Sequence, residues 1–376
     1  MTCFKPLIRV AKVYNNKKFG SETIKIIGST TYGDNFLEYM QAKEKETNEY
    51  LQKAGENYKI EYQRIGCGKC IGCRLDYSKQ WANRCILEAC MWEQNWFITL
   101  TYDPEHLPYK DEFKSEDGFT YTDDGTWGGY LEPKDMTDFL KRLRKHWKKY
   151  YNAENIRYFY CGEYGGPPRP LWKDKKTGEL HYSEGFRPHY HMCTFNFPIP
   201  LDKLELDKER SKSGAAQFIC KEIEEIWGKG RVRISELNWQ TCAYTARYIT
   251  KKINGEMAKE HYPSKGQTKE FVRMSRMPGI AKDFYDRHKD EIYKLDEIIL
   301  KVTDSKTISV KPCSYYDRLY DIENHERMQE LKEIRKENAV EAQKVINSKT
   351  TLTMLKQLNI AEELQIAKAK ALKREI

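Results

Sequence analysis

The sequence predicts an α+β fold built on an antiparallel sheet. Between residues 96 and 235, segments rich in β-branched and aromatic residues alternate with helical segments in the order strand, helix, strand, strand, helix, strand. The chain has 376 residues, enough for one large decorated domain or for a core domain with appendages. Its mean hydropathy of −0.82 and the lack of a long apolar run exclude a membrane-spanning helix.

Composition identifies each strand of this pattern. The first strand covers residues 96–102, which are rich in Thr and aromatic residues and end at an Asp-Pro pair, and the second covers residues 156–162. A long loop rich in Gly and Pro leads to the third strand, residues 186–195, so we expect a hairpin. The fourth strand, residues 231–235, follows two glycines.

Apolar residues at helical spacing identify the helices. Residues 133–150 combine an apolar stripe with a basic exterior, and residues 215–227 and 239–253 form two further helices. Residues 74–93 lack Gly and Pro and predict a helix before the first strand. The resulting β-α-β-β-α-β order is that of a ferredoxin-like sheet with helices packed on one face.

The segments outside this pattern give the domain organisation. Residues 1–65 are poorly periodic and predict an irregular arm. The predicted segments are an N-terminal arm with a cysteine cluster and a helix (1–93), the core (94–255), a C-terminal part of the core or accessory segment (256–320), and a charged helical tail (321–376).

Charge and aromatic content indicate an anionic partner that can stack. Lys and Arg total 65 against 56 Asp and Glu, a formal net charge of +9, and the chain contains 26 Tyr and 8 Trp. Nucleic acid is therefore the leading class of partner. We expect the protein to work in a reducing cytosol and not at a membrane, because the first residues carry no secretion signal.

The sharpest candidate for chemistry is a pair of histidines on the predicted third strand. His189 and His191 flank Tyr190, so both imidazoles point to one face of the sheet. Glu163, at the end of the neighbouring strand, predicts a two-histidine, one-carboxylate metal site with open positions. Glu184 is the substitute carboxylate, because a long loop separates Glu163 from the histidines. Alternatively, the histidines are ordinary residues of an exposed strand.

A second candidate cluster lies on the predicted helix 239–253. Tyr244 and Tyr248 are four residues apart and therefore share a helix face, to which Lys251 and Lys252 roughly return. A tyrosine can act as a covalent nucleophile, and a nearby lysine can lower the pKa of a phenol or hold a phosphate. The alternative is that both tyrosines are half-buried packing residues.

A third candidate site is a cluster of thiols. Cys67, Cys70 and Cys73 follow one another at C-x-x-C-x-x-C spacing, and Cys3 would complete a tetrahedral structural zinc site. An iron–sulfur cluster is the rival, although the fourth cysteine of the bacterial ferredoxin motif is absent. Free cysteines packed under the arm are the remaining alternative.

Basic residues around these motifs predict a groove that follows a DNA backbone. They are the helix 133–150 and the side chains of Arg187, Arg231, Arg233, Arg247, Lys251 and Lys252. The alternative is a solvated surface. The chain has no Gly-rich phosphate loop followed by Lys and Ser or Thr, so unwinding of DNA would need a host helicase.

Three motifs in this order resemble those of the HUH endonucleases that initiate rolling-circle replication. They are Phe97-Ile-Thr-Leu-Thr-Tyr102, then Pro188-His189-Tyr190-His191, then Tyr244-x-x-x-Tyr248-x-x-Lys251. Cys3, the cysteine cluster in residues 66–74 and the segment Met274-Ser-Arg-Met-Pro-Gly-Ile280 narrow the resemblance to the initiators of gokushovirus-like microviruses. The resemblance covers about residues 1–285.

The resemblance implies a metal-dependent DNA nickase and strand transferase. It implies Mg²⁺ or Mn²⁺ held by Glu163, His189 and His191, attack on the scissile phosphate by Tyr244 or Tyr248, and a 5′-phosphotyrosine intermediate. It also implies a single-stranded DNA origin as substrate, host replication machinery as partner, and the host bacterial cytoplasm as location. Two other function classes stay open: a non-catalytic zinc-containing protein that binds single-stranded DNA, and an iron oxygenase.

Overall fold

A computed structural model describes residues 3–14, 21–29, 36–124, 127–166, 170–173, 177, 180–182, 185–208, 215–251, 256–303 and 305–371. The chain forms two compact units, residues 1–77 with 321–374, and residues 78–320. In the described part of the chain, no helix is both long and apolar enough to cross a bilayer.

The strands in chain order are β1 (Leu7–Tyr14), β2 (Ser21–Gly28), β3 (Tyr58–Ile65), β4 (Asn95–Thr101), β5 (Glu112–Lys114), β6 (Thr120–Thr122), β7 (Arg157–Tyr164), β8 (Pro170–Lys173), β9 (Leu180–Tyr182), β10 (Pro188–Phe195), β11 (Glu205–Leu206), β12 (Phe218–Ile219), β13 (Val232–Glu236), β14 (Phe271–Met274), β15 (Ile298–Thr303) and β16 (Lys306–Val310). The helices are α1 (Phe36–Lys53), α2 (Ile71–Ala89), α3 (Pro133–Tyr151), α4 (Lys221–Trp227), α5 (Trp239–Lys251), α6 (Glu256–His261), α7 (Lys282–Leu295), α8 (Ser314–Glu323), α9 (His325–Asn347) and α10 (Met354–Ala371).

The second unit, residues 78–320, is built on an antiparallel sheet with the strand order β11-β12-β13-β4-β10-β7-β14. The predicted pattern corresponds in order to β4, α3, β7, β10, α4 and β13, and its four strands lie side by side as β13-β4-β10-β7. The predicted antiparallel α+β fold is therefore confirmed. The predicted hairpin of the second and third strands is also confirmed, because β7 pairs with β10.

One face of this sheet is covered by α3 and α4. The apolar stripe of α3 is fully buried there, and Trp227 of α4 donates its indole N–H to Thr101 O at 2.9 Å. The buried side chains of the α3 stripe are Met136, Phe139, Leu140, Leu143 and Trp147. The helix begins at Pro133 after the N-cap Glu132, as its basic amphipathic sequence predicts.

The opposite face of the sheet is covered by α2 and α5. Trp81 of α2 stacks on Phe159 of β7 with ring centroids 5.2 Å apart, and Thr245 Oγ1 of α5 lies 3.5 Å from Cys193 Sγ of β10. The prediction that helices pack on one face is right for α3 and α4 but wrong for the whole sheet. Because both faces are covered, a polar group on the second face lies in a dry environment.

The first unit contains a three-stranded antiparallel sheet in the order β2-β1-β3, with α1 packed against it. Its small apolar core includes Ile8 and Val10 of β1, Phe36 and Met40 of α1, and Ile60 of β3. The prediction of an irregular arm over residues 1–65 is wrong for these elements. Six of the eight residues of β2 are exposed, so the strand lacks the apolar alternation that reveals a half-buried strand.

Several boundaries differ from the predictions. Helix α2 begins and ends earlier than the predicted 74–93, and α4 begins later than the predicted 215–227. The C-terminal helices are confirmed as α9 and α10. The segments 1–93, 94–255, 256–320 and 321–376 stay predictions about function, because the two compact units group the residues differently.

Candidate active site and metal centres

Strands β7 and β10 bring one carboxylate and two imidazoles together on the face of the sheet beneath α5. His189 stands directly opposite Glu163 in the antiparallel pair. A single oxygen, Glu163 Oε1, lies 2.9 Å from His189 Nε2 and 2.8 Å from His191 Nε2. The three side chains, which we call the triad, offer ligand atoms within 4.8 Å of one another. Such a donor set fits one divalent ion with open coordination positions.

The other nitrogen of each imidazole has its own oxygen neighbour. His191 Nδ1 lies 3.0 Å from Thr99 Oγ1 on β4, and His189 Nδ1 lies 3.1 Å from Arg187 O. Outer partners of this kind fix the tautomer and the ring orientation of metal-binding histidines, with Nε2 left to face the ion. Sequence reasoning missed the role of Thr99, which emerges only from the register that places it opposite His191.

Burial and close charges set the electrostatics of the triad. The side chains of Glu163 and His191 are 5% and 9% exposed. Burial opposes ionisation of Glu163, but hydrogen bonds and positive charge from His189 and His191 outweigh it and hold the pKa of the carboxyl well below its usual value. Burial lowers the pKa of His191 in spite of the carboxylate beside it. An ionised carboxylate beside a neutral imidazole is the protonation state that a metal ion requires.

Tyr244 of α5 reaches the triad. Its hydroxyl donates to Glu163 Oε1 at 3.1 Å, and its ring lies edge-on to His191 with centroids 4.9 Å apart. The ring of Phe97 stacks on the imidazole of His191 with centroids 5.4 Å apart and fixes that imidazole further. The half-buried phenol of Tyr244 therefore stands at the metal-binding atoms, next to space that a substrate can enter.

The other predicted site residues lie in several places. Tyr248 and Lys251 belong to α5, so Tyr248 follows Tyr244 by one helical turn, but the side chains of both lie outside the described part of the structure. Glu184 and Lys252 lie outside the described residues altogether.

Three arginines were predicted to contact DNA. Arg247 is exposed on α5, and Arg231 is exposed just before β13. Arg187 donates from Nη2 to Tyr102 O at 2.9 Å, so part of its guanidinium holds the end of β4.

The four predicted cysteines also come together. The Sγ atoms of Cys3, Cys67, Cys70 and Cys73 lie within 4.8 Å of one another, and Cys3 Sγ is 3.8 Å from Cys70 Sγ. Backbone N–H groups point at the sulfurs, with Cys67 N 3.2 Å from Cys3 Sγ and Cys70 N 3.3 Å from Cys67 Sγ. Donors of this kind stabilise thiolates, and four thiolates fit a tetrahedral ion.

The turn that carries these cysteines is shaped for them. Burial opposes ionisation of Cys70, but backbone N–H groups of Cys73 and Phe4 outweigh it and lower the pKa of this thiol to about 7. Gly66 leaves room for a sulfur, since a Cβ there would lie 3.3 Å from Cys73 Sγ. Gly68 has a φ of +71°, in the left-handed region that glycine adopts without strain.

Comparison with known proteins places this geometry in a family. The family model described as replication-associated protein ORF2 matches residues 95–172 and 175–253, which contain the triad and α5. The chain is 34% identical over 264 residues to the replication-associated protein ORF2 of Spiroplasma virus 4, covering 70% of this chain and 69% of that protein.

Two further relatives are more distant. The chain is 27% identical over 240 residues to the replication-associated protein VP4 of Bdellovibrio phage phiMH2K, covering 62% of this chain and 61% of that protein. It is 27% identical over 190 residues to the replication-associated protein ORF4 of Chlamydia phage 1, covering 50% of this chain and 38% of that protein. No solved structure matches the chain.

Proposed function

The chain belongs to the replication-associated protein ORF2 family, with relatives in microviruses, and we propose that it nicks single-stranded origin DNA through a tyrosine nucleophile. The observation that carries the proposal is the contact of Tyr244 Oη with Glu163 Oε1, 3.1 Å apart, at the triad. We assign the sheet as the ferredoxin-like core of an HUH endonuclease, and the order β13-β4-β10-β7 supports this assignment.

The reaction we propose is a transesterification. Tyr244 Oη attacks the scissile phosphorus, the new bond joins the tyrosine oxygen to the 5′-phosphate, and the bond to the 3′ oxygen breaks. The leaving 3′ oxygen takes up a proton and becomes the hydroxyl that primes synthesis. Because a phosphodiester replaces a phosphodiester, the bond energy is kept for religation.

The triad would bind Mg²⁺ or Mn²⁺, which supplies positive charge beside the scissile phosphate. Glu163, His189 and His191 hold their ligand atoms in place from two paired strands, so little reorganisation is needed during the reaction. Tyr248, one turn after Tyr244 on α5, is the second nucleophile, which cuts the regenerated origin after one round. Lys251 assists the phenols, and Arg187, Arg231, Arg247 and Lys252 contact the DNA strand.

The cysteine cluster has a structural role in this proposal. Cys3, Cys67, Cys70 and Cys73 hold Zn²⁺ and tie the N-terminal residues to the turn before α2. The protein works in the host bacterial cytoplasm with a host helicase and the host replication machinery.

A covalent protein–DNA adduct is the direct test. The full chain is incubated with labelled single-stranded phage DNA and Mn²⁺, and denaturing electrophoresis then detects protein that carries label. We expect a labelled band for the wild type and none for Tyr244→Phe combined with Tyr248→Phe. Tyr150→Phe, at a tyrosine 58% exposed on α3, is the matched control and keeps the band.

A metal-ligand variant separates chemistry from binding. His191→Ala is expected to abolish cleavage and to leave DNA binding largely intact, because the ion acts on charge that develops in the transition state. Unchanged nicking by this variant would remove the triad from the mechanism. Tight DNA binding by the wild type without any adduct would favour a non-catalytic, zinc-containing single-stranded DNA-binding protein.

A further inference from the structure

A cleft of about 960 Å³ opens at the far end of β7, within the second unit. Its walls come from the start of β7, from α3, from the end of β14 and from the segment that follows β14. The side chains used below are Trp92, Arg144, Tyr158, Arg273, Arg276 and Met277. A volume of this size is at the upper end of the range for small-molecule pockets and accommodates one or two nucleotides.

The cleft is separate from the triad. Tyr158 is the second residue of β7 and Glu163 the seventh, so the strand itself separates the two sites. At about 3.3 Å per residue, the start of β7 and the triad are roughly 20 Å apart. A stacked DNA strand advances about 3.4 Å per nucleotide, so roughly six nucleotides bridge this distance, and fewer when the bases unstack.

Three exposed guanidinium groups line the cleft. Arg144, Arg273 and Arg276 form no ion pair with a carboxylate of the described chain. Arg144 is oriented by Ile156 O, to which its Nη2 donates at 2.6 Å. Asp283 is the acidic side chain of the lining, so positive charge exceeds negative charge there. Arginine forks of this kind match the geometry of phosphate oxygens.

Aromatic and apolar groups lie between these arginines. Trp92 and Tyr158 are half-buried in the lining, and the guanidinium of Arg144 lies 5.0 Å from the Tyr158 ring centroid. Met277 is 95% exposed, which is unusual for an apolar side chain and suits contact with a base. Cations that alternate with aromatic faces are the combination by which proteins hold unpaired nucleotides.

The far wall of the cleft is held rigidly. Arg157, beneath the cleft, donates from Nη2 to Pro278 O at 2.9 Å and Gly279 O at 3.1 Å, and its Nε donates to the buried Glu88. These bonds fix the segment that carries Arg276 and Met277 against the start of β7. The charge of Arg157 is therefore spent on the fold, and the exposed arginines remain for a ligand.

We propose that this cleft is a second binding site for single-stranded DNA, which holds a segment of the strand about six nucleotides from the phosphate at the triad. The inference rests on the proposed function in one respect, that single-stranded DNA is the ligand. The site binds phosphates through Arg144, Arg273 and Arg276 and bases on Trp92 and Tyr158. It anchors the strand while the reaction proceeds at the other end of the sheet.

Equilibrium binding of oligothymidylates by the full chain tests the proposal without any need for cleavage. The long probe has about 20 nucleotides and reaches both sites, whereas a probe of about five nucleotides covers only one. Arg273→Ala with Arg276→Ala removes two phosphate contacts from the cleft. Arg318→Ala with Lys294→Ala is the matched control, because both side chains are exposed and lie outside the cleft.

We expect the cleft variant to bind the long probe about tenfold more weakly than the wild type at about 0.15 M salt, with a salt-dependence slope smaller by about 1.4. The control variant should keep the wild-type slope to within about half of that difference. The cleft variant should also lose most of the advantage of the long probe over the short one.

Three results would overturn the inference or its premise. Equal long-probe affinity and slope for the wild type and the cleft variant would refute the cleft as a DNA site while the proposed function stands. No binding of either probe by the wild type would instead contradict the proposed function. If free deoxynucleoside triphosphate competes with the long probe in the wild type but not in the cleft variant, and the long probe has no advantage over the short one, the cleft is a nucleotide site and the strand-anchoring role is wrong.

Discussion

The buried ion pair between Glu88 and Arg157 allows a quantitative test of how the second unit is held together. The two side chains are 1% and 7% exposed, so water contributes little to their solvation. Glu88 also accepts the backbone N–H of Ala281, and Arg157 donates to the carbonyls of Pro278 and Gly279. The pair therefore joins α2, β7 and the segment before α7.

Glu88→Ala removes the carboxylate and leaves the guanidinium of Arg157 buried without a counter-charge. Breaking a buried pair in this way costs about 3–5 kcal/mol, because the remaining charge keeps its desolvation penalty. For a unit of this size, 1 kcal/mol corresponds to roughly 2–4 °C in melting temperature. The melting temperature of the second unit is therefore expected to fall by roughly 6–20 °C.

Differential scanning calorimetry of the full chain measures this change. Asp138→Ala breaks the surface pair of Lys134 and Asp138, with side chains 76% and 32% exposed, and should cost less than about 1 kcal/mol. Glu88→Leu with Arg157→Met removes both charges and should recover part of the lost stability. The reasoning fails if Glu88→Ala melts with Asp138→Ala, or if the double variant is less stable than Glu88→Ala.

Two further variants test the metal centres. Thr99→Val keeps the side-chain volume but removes the hydroxyl next to His191 Nδ1, so the Mn²⁺ affinity of the full chain is expected to fall about 10–100-fold in titration calorimetry; an unchanged affinity would mean that Thr99 does not orient the imidazole. Cys70→Ser is expected to abolish zinc retention by the purified protein in elemental analysis, whereas Cys90→Ser, at an exposed cysteine outside the cluster, keeps it; retained zinc in Cys70→Ser would contradict a four-thiolate site.

The sequence contains enough information to predict the composition of the triad. The period of two along a strand places His189 and His191 on one face, and Glu163 ends the neighbouring strand. The exact partnership of His189 with Glu163 is not predictable in this way, because a long loop joins the two strands and a long loop does not fix hairpin register. The structure supplies that register.

Other features depend on residues far apart in the chain and leave no local pattern. Thr99 meets His191 across 92 positions, and Glu88 meets Arg157 across 69. Local periodicity reports which face of an element is buried, but it does not report which distant element buries it. The sheet of the first unit escaped prediction for a different reason, since its strand β2 is exposed on both faces and has no apolar alternation.

The middle residue of the histidine motif explains how the register of β10 is held. Tyr190 points to the face opposite the histidines, where it is fully buried and its hydroxyl donates to Glu132 O at 2.9 Å, next to the Tyr102 hydroxyl at 3.0 Å. A slip of β10 by one residue would move this phenol to the triad and place both imidazoles against the apolar stripe of α3. That arrangement would leave buried imidazoles and the Glu132 carbonyl without partners, which is costly in a dry core. The packing of α3 on one face therefore fixes the positions of the metal-binding atoms on the other.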